Sequence, residues 1–168
     1  MVRRFVLVLV ATCFGGCGIY SVSGSLPAHI KTAAVPLFEN ETSEIGIVES
    51  LTDAIQNAVI SDGSMKVVGE FQADAVVRGT IIDVVNQADE FTREERAETF
   101  RITIIAQVEF FDRAKNRVIW REERMEGWAR YDAAGGSAEG VNSTREDAIE
   151  DAADMLAKEI IDKTVAGW

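Results

Sequence analysis

The chain is poor in the residue types from which most enzyme and metal sites are built. Its 168 residues include one histidine, His29, and two cysteines, Cys13 and Cys17. There is no pair of histidines at helical spacing and no Gly-x-Ser-x-Gly segment, so zinc sites and acyl-transfer triads lack their raw material. The many carboxylates lie in charged clusters typical of solvated surface, such as Glu94-Glu95. We therefore predict no catalytic residue, no metal and no cofactor, and we expect His29 to be an ordinary exposed residue.

Positive charge is also scarce. The chain has 17 Lys and Arg residues against 28 Asp and Glu residues, which gives a formal net charge of −11. A nucleic-acid-binding protein needs a basic footprint to meet the phosphate backbone. Nucleic acid is therefore excluded as a partner.

No apolar run is long enough to span a bilayer, but the start of the chain has the layout of a signal peptide. Arg3 and Arg4 precede the apolar run Phe5–Phe14, and two glycines then lead to Cys17. Small residues directly before a cysteine resemble the cleavage site of bacterial lipoproteins. That resemblance implies a diacylglycerol and an acyl chain such as palmitate on Cys17, with each buried methylene adding ~0.8 kcal/mol of membrane affinity. Two alternatives are secretion with a free thiol at Cys17 and modification of Cys13 instead.

These features divide the chain into three segments. We predict a lipoprotein signal peptide at 1–16, a lipidated N-terminus with a flexible tether at 17–29, and a single domain at 30–168. Gly18 follows the cysteine where aspartate would signal retention in the inner membrane, so we expect a lipid-anchored protein on the periplasmic side of the outer membrane. The mature chain would have no cysteine pair, so its stability must come from a packed core.

Hydrophobic periodicity predicts an α+β fold. Strands are expected at Ile30–Phe38, with Pro36 at the end of the strand or on a sheet edge, and at Met65–Val68. They are joined by a helix that starts near Ile45, is capped by Thr42 or Ser43 and stops at Asp62-Gly63. A strand-helix-strand unit of this kind makes its two strands parallel. The remaining predicted segments are a strand over Ala75–Val85, a solvated connection or protruding hairpin end over Asp89–Glu98, an alternating strand over Thr99–Phe111, a partner strand over Val118–Trp128, a loop with little to hold it over Tyr131–Asn142, and a second helix capped by Ser143 and Glu146.

The second helix should be amphipathic, with an apolar face of Ala148, Ile149, Ala152, Met155, Leu156 and Ile160. The expected architecture is a two-layer sandwich, with a mixed sheet of four to five strands and both helices on one face. Three tryptophans, Trp120, Trp128 and Trp168, are expected to serve core or interface packing.

The one local concentration of basic residues lies at the predicted turn between the two long strands. Arg113, Lys115 and Arg117 fall within this turn, and Arg121 follows on the next strand. We interpret them as contacts for phosphate groups of an anionic lipid or for a protein wall. Simple solvation of a hairpin is the alternative.

The mature sequence resembles the lipopolysaccharide-assembly lipoprotein family, LptE. The resemblance is carried by the order and spacing of several phrases, at 16–20, 23–32, 35–42, 51–55, 73–79, 117–120 and 166–168. It implies an outer-membrane lipoprotein that plugs the lumen of a β-barrel lipopolysaccharide translocon, an LptD-type partner, and assists assembly of lipopolysaccharide. That role needs shape and contact rather than catalysis. With this resemblance, the partner expected for Arg113, Lys115, Arg117 and Arg121 is lipopolysaccharide or the barrel wall.

A second family resemblance leads to a different function. The run Val35–Asn40, the helix containing Leu51–Ala54 and the segment Ala73–Val76 are also similar to lipoproteins that activate peptidoglycan synthases or build curli-type secretion pores. Fold alone does not separate these functions. The residues after Cys17 and the Ala-Gly-Trp terminus favour lipopolysaccharide assembly.

Overall fold

The computed structural model describes residues 26–91, 97–136 and 139–166, with the backbone alone at 90, 91, 97 and 98. Its elements in chain order are β1 (Thr32–Ala34), β2 (Glu39–Asn40), α1 (Ile47–Asp62), β3 (Lys66–Val67), β4 (Ala75–Phe91), β5 (Ala97–Asp112), β6 (Arg117–Asp132) and α2 (Arg145–Ala166). The strands form one mixed sheet, and both helices contribute to a single core on one of its faces. The predicted α+β sandwich is confirmed. The predicted signal peptide and Cys17 lie outside the described residues.

The sheet has six strands rather than the four to five expected. Its order is β3-β1-β4-β5-β6, and the short β2 pairs with β4 further along. The extra strand arises because the run Ile30–Phe38 does not form one strand. Pro36 has no N–H to donate to a ladder, and β1 and β2 lie on either side of it, each parallel to a different part of β4.

The strand-helix-strand unit at the start of the domain forms as predicted. Strand β1 pairs parallel with β3, with Thr32 opposite Lys66. Helix α1 connects them and ends at Gly63, which adopts a left-handed conformation with φ of 73°. Strands β4, β5 and β6 then form an antiparallel meander, because short turns can join antiparallel neighbours.

The core lies between the sheet and the two helices. Strand β5 alternates as predicted, and its inward side chains are all fully buried: Ile102, Ile104, Ala106, Val108 and Phe110. From the helix layer, Leu51 and Ile55 of α1 and Leu156 and Ile160 of α2 are also fully buried. Burying each of these large apolar side chains contributes ~1.5–3 kcal/mol to the free energy of folding. The core between the sheet and the helices is therefore a main source of stability.

The start of α1 differs from the prediction. Its N-cap is Gly46, with φ of 82° and no side-chain cap, rather than Thr42 or Ser43. The hydroxyl of Thr42 does not cap the helix and instead donates to the side-chain oxygen of Asn40 at 2.8 Å. The polar segment before α1 is thus a turn of its own.

The start of α2 differs by one residue. The hydroxyl of Thr144, not of Ser143, accepts the backbone N–H of Asp147 at 3.1 Å. Within α2 the predicted core residue Met155 is 43% exposed. Its sulfur instead accepts the backbone N–H of Trp128 on β6 at 3.5 Å.

The predicted Tyr131–Asn142 loop begins later than expected and is held by hydrogen bonds. Tyr131 and Asp132 still belong to β6. The Asp132 carboxylate accepts the N–H groups of Ala134 and Gly136, and Asn142 bonds back to the strand backbone. The side chains and the strand edge therefore fix the described parts of this loop.

Of the charged segment Asp89–Glu98, residues 89–91 end β4 and residues 97–98 begin β5; residues 92–96 lie outside the described residues. Neither helix of the described chain combines the length and the hydropathy needed to cross a bilayer.

Candidate functional site

The face of the sheet opposite the helices, which we call the open face, carries a ladder of charges across three strands. Arg78 of β4, Glu109 of β5 and Arg121 of β6 lie directly opposite one another in register. Arg78 donates to one Glu109 oxygen at 2.6 and 2.9 Å, and Arg121 lies 3.1 Å from the other. Glu109 is only 6% exposed, whereas both arginine side chains are more than half exposed. The buried carboxylate therefore fixes two guanidinium groups that remain accessible.

A shallow cleft of about 450 Å³ runs beside this ladder. The connection between β1 and β2 forms one wall through Pro36 and Leu37, and Gln107 forms part of the floor. Leu37 is 67% exposed, so the cleft combines one apolar wall with a charged one. Such a surface suits contact with a mixed polar and apolar partner.

A second cluster lies at the other end of the open face. The guanidinium groups of Arg101 and Arg130 lie 4.5 and 5.6 Å from the ring centre of Trp128, and both bind the Asp89 carboxylate. Trp128 is 37% exposed. Of the tryptophans predicted to serve packing, Trp120 is buried in the core, Trp128 lies on the open face and Trp168 is outside the described residues.

The predicted basic contact residues do not form one patch. Arg113, Lys115 and Arg117 lie at the β5–β6 turn, whereas Arg121 belongs to the ladder on the open face. Arg113 donates to the backbone oxygens of Glu70 and Ala73, so part of its role is to hold the neighbouring chain. The Lys115 side chain is exposed.

Sequence reasoning missed two members of the ladder, Arg78 and Glu109. In a long alternating strand every second residue lies on the same face, so the sequence predicts on which face of the sheet Glu109 lies. Its partner Arg78 could not be predicted, because the pairing depends on the register of β4 against β5.

His29 is not the ordinary exposed residue that was expected. Its Nε2 lies 2.9 Å from the carboxylate of Asp112, which is fully buried at the end of β5. Burial disfavours the charged form of Asp112, but hydrogen bonds from the Lys115 N–H and from His29 outweigh burial and hold the pKa of Asp112 below its usual value. Leu26 packs against the main core. The chain thus attaches to the domain before the predicted start of the first strand.

Within the described ranges, no three His, Cys, Asp or Glu side chains are grouped so that they could hold a metal ion. The arrangement seen here provides charged and apolar surfaces on a rigid scaffold. The fold and its surfaces define a small two-layer α+β domain.

The family model LptE, described as lipopolysaccharide-assembly, matches residues 30–164, and the chain belongs to this family. The family is a non-catalytic lipoprotein family, so the chain is an LptE-like outer-membrane lipoprotein. This result favours the first of the two resemblances drawn from the sequence. A comparison with curated proteins found no match.

Several solved structures share the fold at low sequence identity. A PelC dodecamer from Paraburkholderia phytofirmans is 16% identical, with a TM-score of 0.56 over 86% of this chain and 96% of that one. The hypothetical protein CT253 from Chlamydia trachomatis is 15% identical, with a TM-score of 0.53 over 80% and 95%. Protein XCC0632 from Xanthomonas campestris is 11% identical, with a TM-score of 0.54 over 84% and 90%. These similarities establish the fold alone.

Proposed function

We propose that this protein is anchored in the outer membrane through a lipid on Cys17 and fills the lumen of an LptD-type β-barrel, the lipopolysaccharide translocon. There it supports assembly of the barrel and assists delivery of lipopolysaccharide to the outer leaflet. Family membership over residues 30–164 is the observation that carries this proposal. The open face supplies the surface for it.

The open face suits a barrel wall because of its polarity. Lumens of large barrels are lined by polar side chains, and this face presents guanidinium groups whose partner carboxylates already lie in the sheet. Pairing inside the ladder keeps Arg78 and Arg121 in fixed directions, so little side-chain entropy is lost on contact. The helices cover the opposite face of the sheet. The core therefore stays buried when a partner binds the open face.

Purification of the tagged protein from native outer membrane tests this proposal. We expect a large β-barrel protein to co-purify. Recovery of a penicillin-binding protein in place of a barrel would overturn the proposal and support the peptidoglycan-synthase alternative.

A matched pair of arginines tests the open face itself. Arg121→Ala removes a ladder residue, and Arg124→Ala removes an arginine of the same strand that pairs with Glu126 outside the ladder. Arginines at the centre of an interface cost more than about 1 kcal/mol when truncated, so Arg121→Ala should lower barrel recovery severalfold and Arg124→Ala should not. Equal recovery with both variants would remove the ladder from the interface.

The turn residues Arg113, Lys115 and Arg117 are interpreted from the sequence as contacts for lipopolysaccharide phosphates or for the barrel wall, and lipopolysaccharide binding tests the first of these. Lys115 is the cleanest probe, because Arg113 and Arg117 also interact with their own chain. If replacement of the three by serine leaves lipopolysaccharide affinity unchanged, the turn has no part in binding lipopolysaccharide.

A further inference from the structure

The segment that follows the predicted anchor joins the domain at one end of the sheet. Leu26 packs on the core, and His29 binds Asp112 at 2.9 Å, directly before the β5–β6 turn. Cys17 lies nine residues before Leu26 in the sequence. Even a fully extended chain of that length reaches only about 30 Å, so this end of the domain is the one tied to the position of the anchor.

The same end, which we call the basic end, gathers cations from several elements: Lys31, Lys66, Arg113, Lys115 and Arg117. Backbone hydrogen bonds bring them together. The Lys66 N–H donates to the Lys31 oxygen at 3.0 Å, and the Arg113 N–H donates to the Asp74 oxygen at 2.9 Å. The Asp74 carboxylate in turn accepts the Lys31 N–H at 2.9 Å. The starts of β1, β3 and β4 and the β5–β6 turn therefore share one surface.

The carboxylates at the basic end only partly offset these cations. Asp74 accepts three hydrogen bonds from Lys31 and Thr32, and Asp112 is buried beneath His29. Asp62, four residues before Lys66, and Glu70, whose backbone oxygen accepts from Arg113, are exposed acids nearby. In the described chain, none of the three lysine ammonium groups lies in an ion pair. Among the groups named here, five cations thus stand beside four carboxylates, two of them engaged by hydrogen bonds, on a chain whose formal net charge is −11.

The opposite end of the domain is acidic. It contains the start of α2, which follows the end of β6, and exposed carboxylates crowd there at Glu139, Glu146, Asp147 and Glu150. The Arg145 guanidinium is bound to Glu44 at 2.6 Å, so it does little to offset them. An anionic surface would repel this end and attract the basic end.

Resting on the proposed anchor at Cys17, we propose that the basic end docks on the phosphate layer of the anionic phospholipid leaflet that holds the anchor. This is the alternative to a lipopolysaccharide contact of its turn residues. Docking orients the domain, so that its acidic end lies farthest from the phosphate layer of that leaflet. A basic residue at an anionic membrane surface favours the docked state by about fivefold. Reversing three lysines should therefore shift the ratio of docked to undocked protein by more than about 100-fold.

Fluorescence quenching at two matched alanines tests the orientation. Ala114 lies in the β5–β6 turn and Ala133 lies at the opposite end, and both are exposed. Ala114→Cys and Ala133→Cys are introduced separately into the full acylated protein, labelled with a fluorophore and reconstituted into phosphatidylethanolamine vesicles with or without phosphatidylglycerol. The vesicles carry a quencher on the lipid headgroup. Labelling of Cys17 itself would reveal missing acylation, a failure of the anchor rather than of docking.

We expect severalfold stronger quenching at position 114 than at position 133, and only with phosphatidylglycerol present. Lys31→Glu, Lys66→Glu and Lys115→Glu together should abolish that difference while the melting temperature of the domain changes little. Equal quenching at both positions, or quenching that ignores phosphatidylglycerol, would overturn the proposal. Preferential quenching that needs added lipopolysaccharide would also overturn it, since it would assign the basic end to lipopolysaccharide instead.

Discussion

Helix α2 approaches the edge strand β6 so closely at Gly127 that no side chain fits there. A Cβ atom at Gly127 would overlap the backbone oxygen of Ala152, and it would lie 2.6 Å from the Cβ and 2.8 Å from the backbone nitrogen of Leu156. Backbone atoms of a packed helix cannot rotate away as a side chain would. Gly127→Ala must therefore push α2 off the sheet.

The expected cost follows from this geometry. Overpacking a core typically costs about 1–3 kcal/mol, and Gly127→Ala should reach the upper end because the obstacle is backbone. For a domain of this size, 1 kcal/mol corresponds to about 2–4 °C in melting temperature. We predict that Gly127→Ala lowers the melting temperature by about 6–12 °C.

Thermal unfolding followed by circular dichroism measures this effect, with Gly69→Ala as the matched control. A Cβ atom at Gly69 would have no neighbour within 4 Å, and the backbone there has an ordinary extended φ of −63°. Gly69→Ala should leave the melting temperature nearly unchanged. If Gly127→Ala and Gly69→Ala had the same melting temperature, the close packing of α2 on β6 would be refuted.

Two other predictions concern the beginning of α2. Thr144→Ala removes the acceptor for the Asp147 N–H and should lower the free energy of unfolding, measured by urea denaturation, by about 1 kcal/mol. Ser143→Ala should leave it nearly unchanged. A larger loss with Ser143→Ala than with Thr144→Ala would make Ser143 the cap. The Arg145 guanidinium holds the pKa of Glu44 below its ordinary 4.5, so this pair stabilises the fold fully above pH 4.5 and loses its effect as the pH falls through the lowered pKa. Because both groups are partly exposed, the effect should stay below about 1 kcal/mol; a stability difference between wild type and Arg145→Gln that persists unchanged in strong acid would contradict this assignment.

The elements that the sequence predicted well are those with one buried face. The alternation from Ile102 to Phe110 is visible in the sequence because the helix layer requires an apolar residue at every second position. The division around Pro36 was missed, because an apolar run does not reveal which part of another strand each half will join. The cap of α2 was misplaced by one residue, since Ser143 and Thr144 are both good cap residues.

The contact surfaces were harder to predict, because their members are distant in sequence. The basic residues of the β5–β6 turn are neighbours in the chain and were visible at once. Arg78 and Glu109 meet only through the register of β4 against β5, and His29 reaches Asp112 across 83 positions. Local sequence does not predict such long-range pairs. It also does not distinguish Asp112, which is buried, from an exposed aspartate in a turn.

Photocrosslinking in living cells shows whether the open face of the sheet meets the wall of a β-barrel. Glu123 lies beside Gln107 on the open face and its side chain is 73% exposed, so a photoreactive amino acid at this position can reach a partner. We predict an adduct with a large outer-membrane β-barrel protein. If illumination yields no barrel adduct while the protein is present in the outer membrane at its normal level, the protein does not fill a barrel lumen with this face against the wall.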